Sequence, residues 1–144
     1  MAERRSYRDL EIWQIGMDLA ERVYQVTRDF PSHEVYGLTS QLRRAAASVP
    51  VNIAEGYGRG SKAALANFVR IARGSLSEVE TLIELARRLG YVSEETQSEL
   101  LKLTDPLGRK TYMFIKSLDV PVVKETAAVY GVSEVQIDQQ DDPE

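Results

Sequence analysis

The sequence predicts an all-α protein folded as an antiparallel up-down four-helix bundle. Apolar residues recur at spacings of three and four in four successive segments, and no segment has a convincing strand pattern. Short links containing glycine, proline or serine separate these segments, which favours antiparallel neighbours. The 144 residues match the size of one ordinary domain with a real core.

The first helical segment, from about Arg8 to Arg28, carries two apolar rows. One row has the alternating spacing of a coiled-coil seam and comprises Leu10, Trp13, Met17, Ala20, Tyr24 and Thr27. The second row comprises Ile12, Ile15, Leu19, Val23, Val26 and Phe30. One seam suffices for a bundle neighbour, so we expect the surplus apolar surface to be covered by another subunit. Trp13 is expected in the core.

The second segment, from about His33 to Tyr57, contains a proline. Because the apolar stripe stays in phase across Pro50, we predict one continuous helix that is kinked there and ends at glycines. His33, which follows the turn at Pro31, is expected on the surface.

The third and fourth segments have clear starts. Ser61 and Ser93 are good N-cap residues, and Gly90 ends the third segment. The third segment has a stripe of apolar residues from Leu65 to Leu89, interrupted by Gly74 and Ser75. A glycine inside a helix is destabilising, so we expect Gly74 to allow close approach of another backbone.

The fourth segment is predicted to be kinked near Pro106 and to end before Pro121. Residues 1–121 are therefore predicted to form the bundle domain. Residues 122–144 are predicted to be an acidic, largely disordered C-terminal tail.

The composition argues against several kinds of chemistry. The chain has no cysteine and one histidine, which excludes disulfides, thiolate zinc sites and multi-histidine metal sites. We expect no cofactor, no metal and no enzymatic activity. The absence of a long apolar run or a signal-peptide core predicts a cytoplasmic protein with no membrane association.

Basic residues are concentrated in the middle of the chain, although the net charge is −4. The six candidate nucleic-acid-binding residues are Arg43, Arg44, Arg59, Lys62, Arg70 and Arg73. A basic loop with the neighbouring aromatic Tyr57 suits a phosphate backbone. The alternative is a solvated face with local pairs such as Glu55–Arg59.

A second set of residues has a structural or oligomer-forming interpretation: Gln41, Ser48, Pro50, Asn52, Glu55, Gly56, Gly74 and Ser75. The polar members on the second segment lie along one side of the helix. A catalytic role for Glu55 and Asn52 lacks a second catalytic group. Hydrogen bonds across the Pro50 kink or across a subunit boundary are favoured instead.

Three motifs in order resemble one bacterial family. They are Tyr7–Trp13, Gln41–Gly56 and Ile71–Glu78. Together they resemble the four-helix-bundle family named after open reading frames in the intervening sequences of 23S ribosomal RNA genes. This resemblance covers about Tyr7 to Leu118 and implies four-helix bundles that assemble into rings, typically pentamers. A related group of bundle proteins assists the reverse transcriptases of diversity-generating retroelements and binds nucleic acid.

Two hypotheses follow for the function. The first is a homopentameric, non-enzymatic protein that binds RNA or single-stranded DNA through its basic surface. The second is a scaffold that docks a partner protein such as a reverse transcriptase or a nuclease. The acidic tail fits the scaffold better, since it is expected to occupy the basic surface of a neighbouring subunit or to repel nucleic acid.

Overall fold

The structure of the chain, a computed structural model, describes residues 5–121. Four α-helices form the fold: α1 (Glu11–Thr27), α2 (Leu38–Gly58), α3 (Lys62–Arg88) and α4 (Glu94–Leu118). Residues 5–121 contain no strand, and the predicted all-α four-helix fold is confirmed. The predicted tail lies outside the described residues, so the proposed domain division stays a prediction.

Each helix packs against two neighbours in an up-down order. The helix pairs in contact are α1 with α2, α2 with α3, α3 with α4, and α4 with α1. The antiparallel register of α1 and α4 places Glu11 beside Lys110 and Arg22 beside Glu99, and each pair forms a partly exposed salt bridge. Helices α2 and α3 meet at mid-length through Ser48 and Ser75, whose hydroxyl oxygens lie 2.8 Å apart.

The core is assembled from one apolar row of each helix. The fully buried large side chains include Leu19 and Val23 of α1, Leu42 and Ile53 of α2, Val79 and Ile83 of α3, and Leu100 and Leu107 of α4. On α1 the core side chains come mainly from the second predicted row. In the first row, Met17 and Tyr24 are each 44% exposed.

Trp13 is half-buried and packs against the core from its edge, so it lies beside the core rather than inside it as expected. The indole packs edge-on against Tyr7, with 5.3 Å between ring centroids, at the periphery of the core. An indole at this position keeps its N–H near water, which removes the need for a buried acceptor.

Helix α2 runs through Pro50 without a break, as predicted, and α4 runs through Pro106. Pro50 is buried, and an ideal Cβ built on Gly16 would lie 3.5 Å from its ring. Packing against α1 therefore offsets the missing backbone hydrogen bond. The kink at each proline stays a prediction. Helix α2 begins at Leu38 rather than near His33, which lies in a separate turn, Ser32–Glu34.

The predicted N-caps are confirmed. The Ser61 hydroxyl accepts a hydrogen bond from the Ala64 backbone N–H, and the Ser93 hydroxyl accepts one from Thr96. The expectation for Gly74 is wrong within the subunit, because a Cβ built there would meet no atom within 4 Å. None of the helices between residues 5 and 121 is both long and apolar enough to cross a membrane.

Candidate nucleic-acid interface

The six candidate basic residues do not share one surface. Arg43 points toward α1, where its Nε donates to Thr27 Oγ1 at 2.8 Å. Its guanidinium also lies 4.8 Å from the centroid of the Tyr24 ring. A cation at this place complements the carbonyl groups at the C-terminus of α1. Arg43 is therefore a packing residue that joins α1 to α2.

Arg44 and Arg59 lie on the side of α2 that meets α3. Arg44 is exposed and one helical turn before Ser48, which contacts Ser75 of α3. Arg59 pairs with Glu55 at 3.0 Å, and its guanidinium stacks 5.2 Å from the centroid of the Phe68 ring. Since the Arg59 side chain is 58% exposed, the ion pair contributes little to stability. The predicted Glu55–Arg59 pair is thus present.

Arg70 and Arg73 lie on another side of α3, toward α4. The Arg73 guanidinium lies 5.2 Å from the centroid of the Tyr112 ring on α4, and the Lys116 ammonium lies 4.6 Å from the same centroid. Arg70 is one turn before Arg73, and Arg109 is one turn before Tyr112. We call this set of five residues the Tyr112 cluster.

The Tyr112 cluster concentrates positive charge around one aromatic ring. Arg70 and Arg109 are exposed and form no ion pair with any of residues 5–121. Tyr112 attracts two cations, Arg73 and Lys116, through its π-system. The cluster is suited to bind phosphate groups.

Charge is segregated along the whole bundle. The contacts at mid-length divide the described chain into two halves, with Gly16 near Val49 and Gly108 near Leu76. We define the basic end as residues 5–16, 49–74 and 108–121, which contain nine Lys or Arg and four Asp or Glu, for a net charge of +5. The acidic end, residues 17–48 and 75–107, contains seven basic and eleven acidic residues, for a net charge of −4.

Lys62 belongs to the basic end, whereas Arg43 and Arg44 belong to the acidic end. Lys62 is exposed in the first turn of α3 and has no ion pair within the described part of the chain. The structure thus brings Arg70 and Arg73 together with α4 residues that the sequence analysis did not select. The spacing of Arg109, Tyr112 and Lys116 on one side of α4 was visible, but their meeting with α3 depends on the helix register.

The polar signature residues form a hydrogen-bond chain between α2 and α3. The Asn52 side-chain amide donates to the Ser48 carbonyl and to the Ser48 hydroxyl, both at 2.8 Å, which bridges the Pro50 position. The Ser48 hydroxyl is in turn bonded to Ser75. Gln41 and Glu55 lie exposed on the same helix. The arrangement ties α2 to α3 within one subunit.

Carboxylates in the acidic end have pKa values shifted in opposite directions. Burial and the neighbouring Asp105 carboxylate raise the pKa of Glu80, and a hydrogen bond with Thr104 opposes them. Hydrogen bonds from Gln97 and Arg88 lower the pKa of Glu84, one turn away. Among residues 5–121, no group of three or more His, Asp or Glu is placed to hold a metal ion.

Residues 8–112 match the model of a protein family, the 23S rRNA-intervening sequence protein. The chain belongs to this family. A similar solved structure is a protein with unknown function from the S23 ribosomal protein family of Bacteroides thetaiotaomicron. It is 21% identical, has a TM-score of 0.65, and aligns over 73% of this chain and 98% of the other. This likeness shows the fold alone. No curated protein matches the chain.

For this member of the 23S rRNA-intervening sequence protein family, most of the Tyr112 cluster falls inside the matched region. Arg70, Arg73, Arg109 and Tyr112 lie within residues 8–112, whereas Lys116 lies beyond them. The segment 122–144, which carries six acidic residues and one lysine, is also outside the match.

Proposed function

We propose that this protein is a non-enzymatic, homo-oligomeric nucleic-acid-binding protein that holds single-stranded RNA at its basic end. The observation that carries the proposal is the Tyr112 cluster. Arg73 and Lys116 lie close to the Tyr112 ring, and Arg70 and Arg109, one helical turn away, are exposed without an acidic partner in residues 5–121. Each phosphate neutralised at such a surface releases a counterion, which favours binding at low salt.

Self-association is part of the proposal, with five copies in a ring as the expected assembly. A second apolar row runs along α3 outside the core and ends at Leu89, the residue that follows the helix. It comprises Ile71, 46% exposed, Leu85, 45% exposed, and Leu89, 51% exposed, with the half-buried Leu82 between them. Such a row on a helix surface is typical of a protein interface. A ring repeats the basic end once per copy, so several weak contacts add to one strong interaction with a long polyanion.

The experiment measures binding of a fluorescent single-stranded RNA by the full chain and three variants. Arg70→Glu and Arg109→Glu are each expected to weaken binding about tenfold or more and to reduce the slope of log K against log salt by about one. Lys102→Glu is the matched control, because Lys102 lies two turns before Arg109 on the same side of α4, in the acidic end.

The outcome separates a local site from a general effect of net charge, since all three variants change the charge by the same amount. Equal losses in Arg109→Glu and Lys102→Glu would remove the Tyr112 cluster as the site. Failure of the unmodified chain to bind RNA at low salt would remove the proposed function. Native mass spectrometry of each variant checks that the subunit number is unchanged.

A partner-docking scaffold is the second candidate. Tyr36 is 97% exposed and Val35 is 50% exposed in the connection between α1 and α2. The exposed Leu89 belongs to the same end of the bundle, where Tyr91 contacts His33. If this end docks a protein, Tyr36→Ala is expected to abolish complex formation with that protein while Arg109→Glu leaves it intact.

A further inference from the structure

We propose that the acidic segment 122–144 binds the Tyr112 cluster and competes there with nucleic acid. This inference rests on the proposed function for the identity of the competing ligand. The contact between segment and cluster rests on charge and position alone.

Charge complementarity supports this pairing. The segment carries six acidic residues and one lysine, for a net charge of −5, against the net charge of +5 at the basic end. The acidic end of the bundle has a net charge of −4 and repels the same segment. Electrostatics therefore directs the segment to one end of the molecule.

The attachment point lies at that end. Helix α4 ends at Leu118, two residues after Lys116 and less than two turns after Tyr112. Asp119 adopts a left-handed conformation, with φ of 48°, which ends the helix and turns the chain away from the helix axis. About ten extended residues span roughly 30 Å, so the acidic residues from Glu134 onward can reach Arg70 and Arg109.

Tethering makes such a contact effective even when each ion pair is weak. Because the segment is covalently linked to the bundle, its effective concentration near the site is in the millimolar range. Exposed ion pairs of this kind are screened by salt within about 8–10 Å, so the contact is expected to be strong at low salt and absent at high salt. RNA, with a higher charge density, then displaces the segment, whereas short anions do not.

The first measurement detects the contact without nucleic acid. The chain has one tryptophan, Trp13, which lies in the basic end, and no cysteine, so Ser133→Cys introduces a unique labelling site. Energy transfer from Trp13 to an acceptor on this cysteine is expected to be high at about 0.05 M KCl and to fall at about 0.5 M. It is expected to be low at both salt concentrations in the double variant Arg70→Glu, Arg109→Glu, and unchanged by Lys102→Glu.

The second measurement tests competition in the full-length chain. Neutralising five acids of the segment is expected to tighten RNA binding roughly tenfold at low salt. These substitutions are Glu134→Gln, Asp138→Asn, Asp141→Asn, Asp142→Asn and Glu144→Gln. The control neutralises five exposed acids of the acidic end: Asp18→Asn, Glu21→Gln, Asp29→Asn, Glu78→Gln and Glu95→Gln.

Each result decides a different point. Equal tightening by both sets would show a net-charge effect and overturn the competition. If the chain binds RNA but the energy transfer changes neither with salt nor in the cluster variants, the contact is overturned and the proposed function stands. Salt-sensitive energy transfer in a chain that binds no RNA would support the contact and overturn the proposed function.

Discussion

At the scale of single residues, Gly56 marks a close approach of α2 and α3. A Cβ built on it would lie 2.6 Å from Phe68 Cβ and 3.3 Å from Leu65 Cα, which is too near for any side chain without a shift of backbone. Gly74, at the exposed side of α3, has nothing within 4 Å. Both glycines lie inside helices, but a side chain has no room at Gly56 and ample room at Gly74.

We predict that Gly56→Ala destabilises the subunit by about 1–3 kcal/mol, because the new methyl group overpacks the α2–α3 contact. Gly74→Ala is the control and is expected to stabilise the subunit by about 0.5–1 kcal/mol through helix propensity. Urea unfolding followed by circular dichroism measures both. A stabilising Gly56→Ala would contradict the close approach.

Glu80 and Glu84 are predicted to change stability with opposite pH dependence. The folded state raises the pKa of Glu80 above its ordinary value of 4.5, because of burial and Asp105. Folding then favours the protonated form of Glu80. Its contribution to the free energy of unfolding therefore falls as the pH rises from 4.5 through the pKa of Glu80 in the folded protein. Glu80→Gln is expected to stabilise the protein at pH values above this window.

For Glu84 the sign is reversed, because Gln97 and Arg88 lower its pKa below 4.5. Its contribution is present above the unfolded pKa and is lost as pH falls through the folded pKa. Glu84→Gln is therefore expected to destabilise the protein at neutral pH and to have little effect in strong acid. Thermal unfolding of both variants from pH 3 to 8 tests the contrast, and parallel pH profiles would refute it.

At the scale of secondary-structure elements, α3 has two apolar rows. The inner row includes Val69, Ala72, Leu76, Val79 and Ile83, which are buried against the other helices. The outer row contains Ile71, Leu85 and Leu89, about half exposed. The sequence analysis assigned the surplus apolar surface to α1 and included Leu89 in the apolar stripe of the third segment. Leu89 is instead 51% exposed, because it lies beyond the last turn of α3.

We predict that Ile71→Glu reduces the subunit number without unfolding the helices, because a charge on the outer row opposes burial between copies. Met113→Glu is the control, since Met113 is 61% exposed on α4, away from that row. Native mass spectrometry reports the assembly, and circular dichroism reports the fold. Unchanged assembly in Ile71→Glu would remove the outer row as the interface.

At the scale of the whole molecule, charge separation and self-association are predicted to act together. A ring that presents several basic ends is expected to bind a long RNA much more tightly than a short one, beyond the statistical factor of extra sites. If the Ile71→Glu variant is monomeric, its affinity for RNA is expected to depend less on the length of the RNA. Binding of RNAs of about 10 and 40 nucleotides at constant salt measures it. The same length dependence in a monomer would contradict a multivalent ring.

The sequence determined the helices of this protein and their caps, since apolar spacing and the hydroxyls of Ser61 and Ser93 act over three or four residues. It also determined that α2 continues through Pro50, because the stripe keeps its phase. The tertiary structure decided which charges meet. Arg43 and Arg73 belong to the same predicted basic cluster, yet one caps α1 and the other stacks on Tyr112 of α4. Those partners are distant in sequence and are brought near by core packing and helix register, which no local spacing encodes.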